Sequence, residues 1–338
     1  MLDSLNASIA VFAAAAVVIA VAGTFLARAA DELADRTGLG EALIGTFLLA
    51  GATSLPDFAA TLSAAVDGRG ELAMSNVMGS MAANLAFLVL GDLVYRKANL
   101  EHAAASVPNL MQAVLLVALL AIPLIAMAVP DASLGGVHPA TPLIVVGYVL
   151  GLRLVRGAQA RPMWFPRKTR QTVEDRPAPG RRGGLLAAWA KFGALTTVTA
   201  VSGWWVMETA KGVTDHTALS DGVAGGLFTA LATSSPELVT TIAAIRQGAL
   251  TLAVSNIVGT NSFNVLVIAA ADLGYPGSIY ADISSMQLIW GLVTILMTAI
   301  LLLGMLRRET YGIGRIGFES FLVLAVYAAT LAAVVTMG

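Results

Sequence analysis

The sequence predicts an all-α membrane protein: ten transmembrane helices in two inverted five-helix repeats. Three observations predict it. The chain of 338 residues is 57% hydrophobic and only 12% charged, with a mean hydropathy of +0.79; soluble domains carry about 25% charged residues. Ten stretches are long and apolar enough to cross a hydrocarbon core, which takes about 20 helical residues. The second half also repeats the first: Asp35–Asp92 aligns without a gap on Asp215–Asp272, with about a third of positions identical.

So apolar a chain cannot cover a water-facing surface, and the lipid bilayer is its expected solvent and partner. The net charge of -1 argues against nucleic acid. The absence of cysteine excludes disulfides and thiol chemistry. His102, His138 and His216 fall in predicted loops, which argues against a buried zinc site.

The N-terminal segment lacks a basic flank, and its apolar run is too long for a signal-peptide core, so it reads as the first span. The spans are 6–28, 38–66, 71–94, 106–129, 139–156, 184–207, 219–245, 249–272, 283–305 and 314–336. Their connectors are short except 157–183, a polar segment rich in Arg, Lys and Pro. The chain therefore divides into a half at 1–156 (repeat core 35–92), a basic linker at 157–183, and a half at 184–338 (repeat core 215–272). With the linker in the cytoplasm, Arg28, Arg36, Arg96, Lys97, Arg246, Arg307, Arg308 and Arg315 share its side, while Arg69 and Lys211 remain opposite. The positive-inside rule then places both termini outside.

Each half has an odd number of spans, so the second copy enters the membrane the other way up. In transporters built this way, the site lies near the midplane between the repeats. The strongest matches are Ala52-Thr53-Ser54-Leu55-Pro56-Asp57 with Ala232-Thr233-Ser234-Ser235-Pro236-Glu237, and Ser75-Asn76-Val77-Met78-Gly79-Ser80 with Ser255-Asn256-Ile257-Val258-Gly259-Thr260.

Asp57 and Glu237 lie mid-span, where a charge costs at least about 2.5–3.5 kcal/mol and usually marks an ion path. The alternative is a structural polar pair, which equivalent positions in two copies argue against. Pro56 and Pro236 break their helices; the expectation is that the breaks free the carbonyls of Ala50 and Ala230. Thr53 and Ser54 precede Asp57 on the same helix face, as Thr233 and Ser234 precede Glu237. Asn76, Ser80 and Asn84 form one polar stripe, and Asn256, Thr260 and Asn264 its copy; the competing reading is interhelical hydrogen-bond glue. The row Ser75, Gly79, Ala83 would let that helix approach a neighbour closely. Asp92 and Asp272 read as interfacial helix-end residues. The donors are hard oxygens, which suit Ca²⁺ and also Na⁺ rather than soft metals.

These residues resemble the two inverted alpha-repeats of the cation/calcium antiporter superfamily, and within it the prokaryotic sodium/calcium exchangers. The resemblance rests on Gly51-Ala52-Thr53-Ser54-Leu55-Pro56-Asp57 and Ala232-Thr233-Ser234-Ser235-Pro236-Glu237. It implies a prokaryotic inner or plasma membrane and Na⁺/Ca²⁺ exchange by alternating access, with the first and sixth spans sliding against the core. It also implies transported Ca²⁺ and Na⁺ but no cofactor, and no required oligomer. By the same resemblance, Asp57 and Glu237 bind the ions with Thr53, Ser54, Thr233 and Ser234 around them. Ala50, Ala230, Ser80 and Thr260 serve outer Na⁺ sites, and Asn84 and Asn264 flank the centre. Asp57 stands where the family usually has Glu, and Thr260 where it has Ser. Asn264 stands where potassium-dependent members have Asp. The G-N-A-x-E of the proton-coupled branch is absent, which tilts the coupling ion towards Na⁺ over H⁺. The other readings are H⁺/Ca²⁺ or Mg²⁺ exchange on this scaffold, an intramembrane enzyme using Asp57 and Glu237 as a carboxylate pair, and a passive channel.

Overall fold

The computed structural model describes residues 5–129, 132–173, 184–214, 229–281, 283–312 and 316–337. Among them every regular element is a helix, apart from one isolated β-bridge, Leu134 with Val137. Helix α1 spans Leu5–Thr37. Then come α2 (Gly40–Thr53), α3 (Leu55–Val66) and α4 (Gly70–Val94). A single turn, α5 (Leu100–Ala103), leads to α6 (Val107–Ala128) and α7 (Ala140–Ala160). The second half contributes α8 (Leu185–Thr214), α9 (Ala230–Thr233), α10 (Ser235–Gln247) and α11 (Leu250–Gly274). It ends with α12 (Ser285–Arg307) and α13 (Phe318–Met337).

Eight of these helices are long and apolar enough to cross a membrane, and α2 with α3 forms a ninth span bent by 50°. The ten expected spans thus reach nine among the described residues. The predicted span 219–245 is described only from Thr229, where α9 and α10 follow; its first part lies outside the described residues.

Proline placement explains the broken spans. Pro56 and Pro236 sit in the first turns of α3 and α10, where a missing N–H is no loss because no helical acceptor is available. Their rings oppose continuation of the preceding helix. The residue before each short helix adopts nearly the same backbone in both copies: Ser54 at φ -80, ψ -1 and Ser234 at φ -84, ψ 3. The copies also share their next turn. Gly68 and Gly248 take positive φ, 73 and 87, conformations that a Cβ would strain. Their neighbours close the same backbone bonds, Arg69 N–H to Ala64 and Ala249 N–H to Ala244.

Helices α4 and α11 pass through the centre and are buried along nearly their whole length. A helix buried all round needs no polar outer face. Small residues let its neighbours approach. A Cβ on Gly259 would lie 2.5 Å from Thr46 Cα, so α11 touches the backbone of α2. That contact falls where α2 widens into a π turn over Gly45–Leu49. The long helices α1 and α8 pack on one another and lean on the broken helices of the opposite repeats. Gly23 of α1 meets Val239 of α10, and its counterpart Gly203 of α8 meets Pro56 of α3.

Asp92 and Asp272 correct one expectation. They do end long helices, but both are buried rather than interfacial. Each carboxylate latches the last helix of the opposite half to the core. Asp92 accepts from Leu100 N at 2.7 Å, Gly317 N at 3.1 Å and Ser320 Oγ at 2.9 Å. Asp272 accepts from Ile279 N at 3.2 Å, His138 N at 3.0 Å and Thr141 Oγ1 at 2.5 Å. The two latches are copies related by the repeat. The histidines correct another: His102 lies in α5, and both it and His138 are buried; His216 lies outside the described residues. Among the described residues no three His, Cys, Asp or Glu side chains gather to hold a metal.

Candidate ion site

The half-helices α3 and α10 place Asp57 and Glu237 in their first turns, where the helix dipole favours a carboxylate. Both side chains are fully buried. The ion pairs at Glu32 and Glu309 involve neither of them. Two buried carboxylates without a cationic partner require a counter-charge of another kind, because an uncompensated buried charge is strongly destabilising.

The repeats exchange donors across this centre. Ser80 Oγ of α4 donates to Asp57 Oδ1 at 2.9 Å and lies 3.5 Å from the Ala230 carbonyl of the other repeat. Asn264 Nδ2 of α11 donates to Asp57 Oδ2 at 3.2 Å. Thr233 stands beside Asp57, while Thr53 and Ser54 stand beside Glu237, each across the repeat boundary. The Thr53 hydroxyl also bonds back to Leu49 O and Ala50 O, and Thr233 to Thr229 O and Ala230 O.

A set of oxygens remains unpartnered. Both Glu237 carboxylate oxygens lack a partner of hydrogen-bond geometry, as do the hydroxyls of Ser54, Ser234 and Thr260. So do the amide oxygens of Asn76, Asn84, Asn256 and Asn264. Leaving one buried acceptor unpaired costs about 1–3 kcal/mol. Unpaired acceptors from both copies are what a cation needs, and two carboxylates match the charge of one divalent ion. A cavity of about 70 Å³, lined by Asp67, Arg69, Asn76 and Thr229 among others, runs in from the 67–70 turn.

Two sequence expectations change in detail. Ala50 and Ala230 are not freed by the prolines: their carbonyls accept from Ser54 N and Ser234 N, both at 3.0 Å. The prolines instead leave the carbonyls four residues back, Ala52 and Ala232, without a helical N–H donor; the Ser235 hydroxyl donates to the Ala232 carbonyl at 2.9 Å. A carbonyl has two lone pairs, so Ala50 and Ala230 keep coordinating capacity beside those bonds. The glue reading of Asn76 and Asn256 holds for half of each amide. Asn76 Nδ2 bonds Thr61 at 3.1 Å, and Asn256 Nδ2 bonds Thr240 at 3.2 Å and Thr241 at 3.3 Å.

Sequence reasoning missed Asn261. It is fully buried, accepts from Asn84 Nδ2 at 3.0 Å and donates to the Met81 carbonyl at 2.9 Å, joining α4 to α11. Its repeat mate is Met81, so a search for residues matched in both copies passes over it. The available signal was its place in the polar run Thr260-Asn261-Ser262.

Known proteins match this arrangement. The sodium/calcium exchanger protein family profile covers residues 7–154 and 187–336. The inner membrane protein YrbG of Escherichia coli is 28% identical over 257 residues, covering 75% of this chain and 74% of that protein. The sodium/calcium exchanger MaX1 of Methanosarcina acetivorans is 40% identical over 62 residues, 18% of each chain. Among solved structures, the sodium-calcium exchanger NCX_Mj soaked with Na⁺ and Sr²⁺ superposes with a TM-score of 0.71 at 16% identity, covering 96% of this chain and 97% of that one. At that identity the likeness shows the fold. The match across both halves, with the two-repeat fold, identifies the chain as a multi-pass membrane transporter, not an enzyme, that belongs to the sodium/calcium exchanger protein family.

Proposed function

We propose that this protein exchanges Na⁺ for Ca²⁺ across the membrane by alternating access. One observation carries the reading: Asp57 and Glu237, buried without a cationic partner, lie among unpartnered oxygens drawn from both inverted repeats. Two carboxylates balance one Ca²⁺, and hard neutral oxygens fill a flexible shell of six to eight ligands. The central ligands are Asp57, Glu237, Thr53, Ser54, Thr233 and Ser234, flanked by Asn84 and Asn264. Two outer sets, drawn from Ala50, Ala230, Ser80 and Thr260, are weakly charged and suit Na⁺. The 3.5 Å approach of Ser80 to the Ala230 carbonyl supports an outer set shared between repeats.

The halves 1–156 and 184–338, joined by the linker 157–183, each contribute one repeat to this site. Contact of α1 and α8 with the broken helices through Gly23 and Gly203 supports their sliding against the core. The Arg and Lys bias supports a cytoplasmic linker with both termini outside; the inner-membrane name of the Escherichia coli relative supports a bacterial inner membrane. The test is ⁴⁵Ca²⁺ uptake into proteoliposomes under imposed Na⁺, K⁺ or H⁺ gradients, one at a time. Uptake driven by an outward Na⁺ gradient is the expected result. Uptake that follows only a pH gradient would reassign the protein to H⁺/Ca²⁺ exchange.

A further inference from the structure

The two aspartate latches differ in one respect. Beside Asp92, the latch carries two more acids, Glu101 of α5 and Glu319 of α13, which are 2% and 1% exposed. At the opposite latch, the positions related by the repeat hold Tyr280 and Ala140. The architecture closes there without them, so the latch does not need the glutamates.

The carboxyls of Glu101 and Glu319 lie within hydrogen-bond reach of each other. Glu101 Oε2 and both oxygens of Glu319 have no donor. The space is shaped for Glu319: a Cβ on Gly304 would lie 2.5 Å from its Cγ, and one on Gly317 would collide with its Oε1.

Among the described residues, the charged groups around the pair do not neutralise it. Asp92, from α4, is occupied by its three donors. Glu309, after α12, adds a further negative charge beside Glu319 and is itself 3.8 Å from Arg307. The Arg307 guanidinium lies 4.7 Å over the Phe318 ring. The Arg308 guanidinium bonds Arg167 O, His102 O and Thr172 Oγ1. His102, next to Glu101, turns its Nδ1 to Arg308 O at 2.6 Å and its Nε2 to Thr169 at 2.7 Å.

Two touching carboxylates in an apolar setting cannot both ionise cheaply. We propose that Glu101 and Glu319 form a proton-binding site, separate from the cation site. One carboxyl O–H donates to the other carboxylate and binds α5 to α13. Burial and the neighbouring acids Asp92 and Glu319 push the Glu101 carboxyl well above the usual carboxylate range. Proton loss leaves two facing carboxylates and loosens α5, where His102 holds the linker at Thr169.

The sign follows from linkage. The bound proton stabilises the folded chain fully below the ordinary carboxylate pKa, and that stability is lost as pH rises through the raised one. Thermal unfolding of the purified full-length protein in detergent tests this at successive pH values. The wild-type Tm should fall on raising pH, by about 2 °C per pH unit for one proton. Glu101→Gln and Glu319→Gln should each flatten that slope, because an amide N–H replaces the shared proton permanently. Parallel slopes for all three proteins would overturn the proposal. So would a wild-type Tm at high pH restored by Li⁺, Na⁺ or K⁺ and insensitive to those ions in Glu101→Gln, which would make the pair a monovalent-cation site. Should either variant not fold, infrared spectroscopy of the Asp57→Asn/Glu237→Gln protein decides. A protonated-carboxyl band at pH 7 that vanishes on alkalinisation supports the site, and its absence refutes it.

Discussion

Asn264 donates to Asp57 at 3.2 Å, while its repeat mate Asn84 turns to Asn261 at 3.0 Å instead of to Glu237. The pseudo-symmetric centre is therefore asymmetric in its hydrogen bonds. Asp57 has two protein donors, and Glu237 has none of hydrogen-bond geometry. The shorter acid is held in place, and the longer one is left to follow its ligand.

Asn264→Asp should change cation preference more than Asn76→Ala. The substitution replaces a donor to Asp57 with a third carboxylate, raising the field on a bound ion and placing like charges together. Slower release of divalent ions or a new proton dependence is the expected outcome. Ion-competition profiles for ⁴⁵Ca²⁺ uptake check it; identical profiles for wild type and Asn264→Asp would remove Asn264 from the ion's ligands.

Asp57→Asn and Glu237→Gln should each reduce Ca²⁺ transport to background while leaving the protein in the membrane. One remaining carboxylate cannot balance a divalent ion. Folding should survive, because a buried amide costs less than a buried carboxylate. Size-exclusion profiles and exchange rates of the purified variants test both halves of the statement. Wild-type exchange in either variant would dismiss the pair.

Much of this centre was legible in the sequence because duplication marks function twice. Thr-Ser-x-Pro-acid, the Asn stripes and Gly68 with Gly248 all stand out by comparing the chain with itself. What the sequence hides is whatever one copy lacks. Asn261 faces Met81 in the repeat register, and Glu101 and Glu319 face Tyr280 and Ala140, so pattern matching discards them. Burial was hidden too: Asp92 and Asp272 look interfacial because they end apolar runs, and only the return of α13 and α7 over them makes them latches.

Gly259→Ala should destabilise the protein by about 1–3 kcal/mol, the usual cost of overpacking. The new methyl would meet backbone rather than a mobile side chain, 2.5 Å from Thr46 Cα. Thermal unfolding in detergent measures it. An unchanged Tm would mean that α2 moves freely away from α11 at its π turn.

Coupling is expected to be electrogenic, with more than two Na⁺ moved per Ca²⁺. The proposed ligands comprise a centre with two carboxylates and two outer sets drawn from Ala50, Ala230, Ser80 and Thr260. Three Na⁺ against two fixed negative charges leave the carrier with one net positive charge, while one Ca²⁺ leaves it neutral. The Na⁺-loaded step should then respond to the membrane potential, at about 2.3 kcal/mol per full charge per 100 mV. The shorter arm of Asp57 bears on this directly. Held by Ser80 and Asn264, it cannot swing between ion sets as freely as Glu237. Asp57→Glu should therefore shift the Na⁺ dependence of exchange while preserving its voltage dependence. The measurement is ⁴⁵Ca²⁺ uptake into Na⁺-loaded vesicles, with the potential set by K⁺ and valinomycin. A rate that accelerates as the interior is made more positive, and so drives the net positive charge out, fits this stoichiometry. A rate indifferent to potential at every Na⁺ gradient would require two Na⁺ per Ca²⁺ and leave one outer set without an ion.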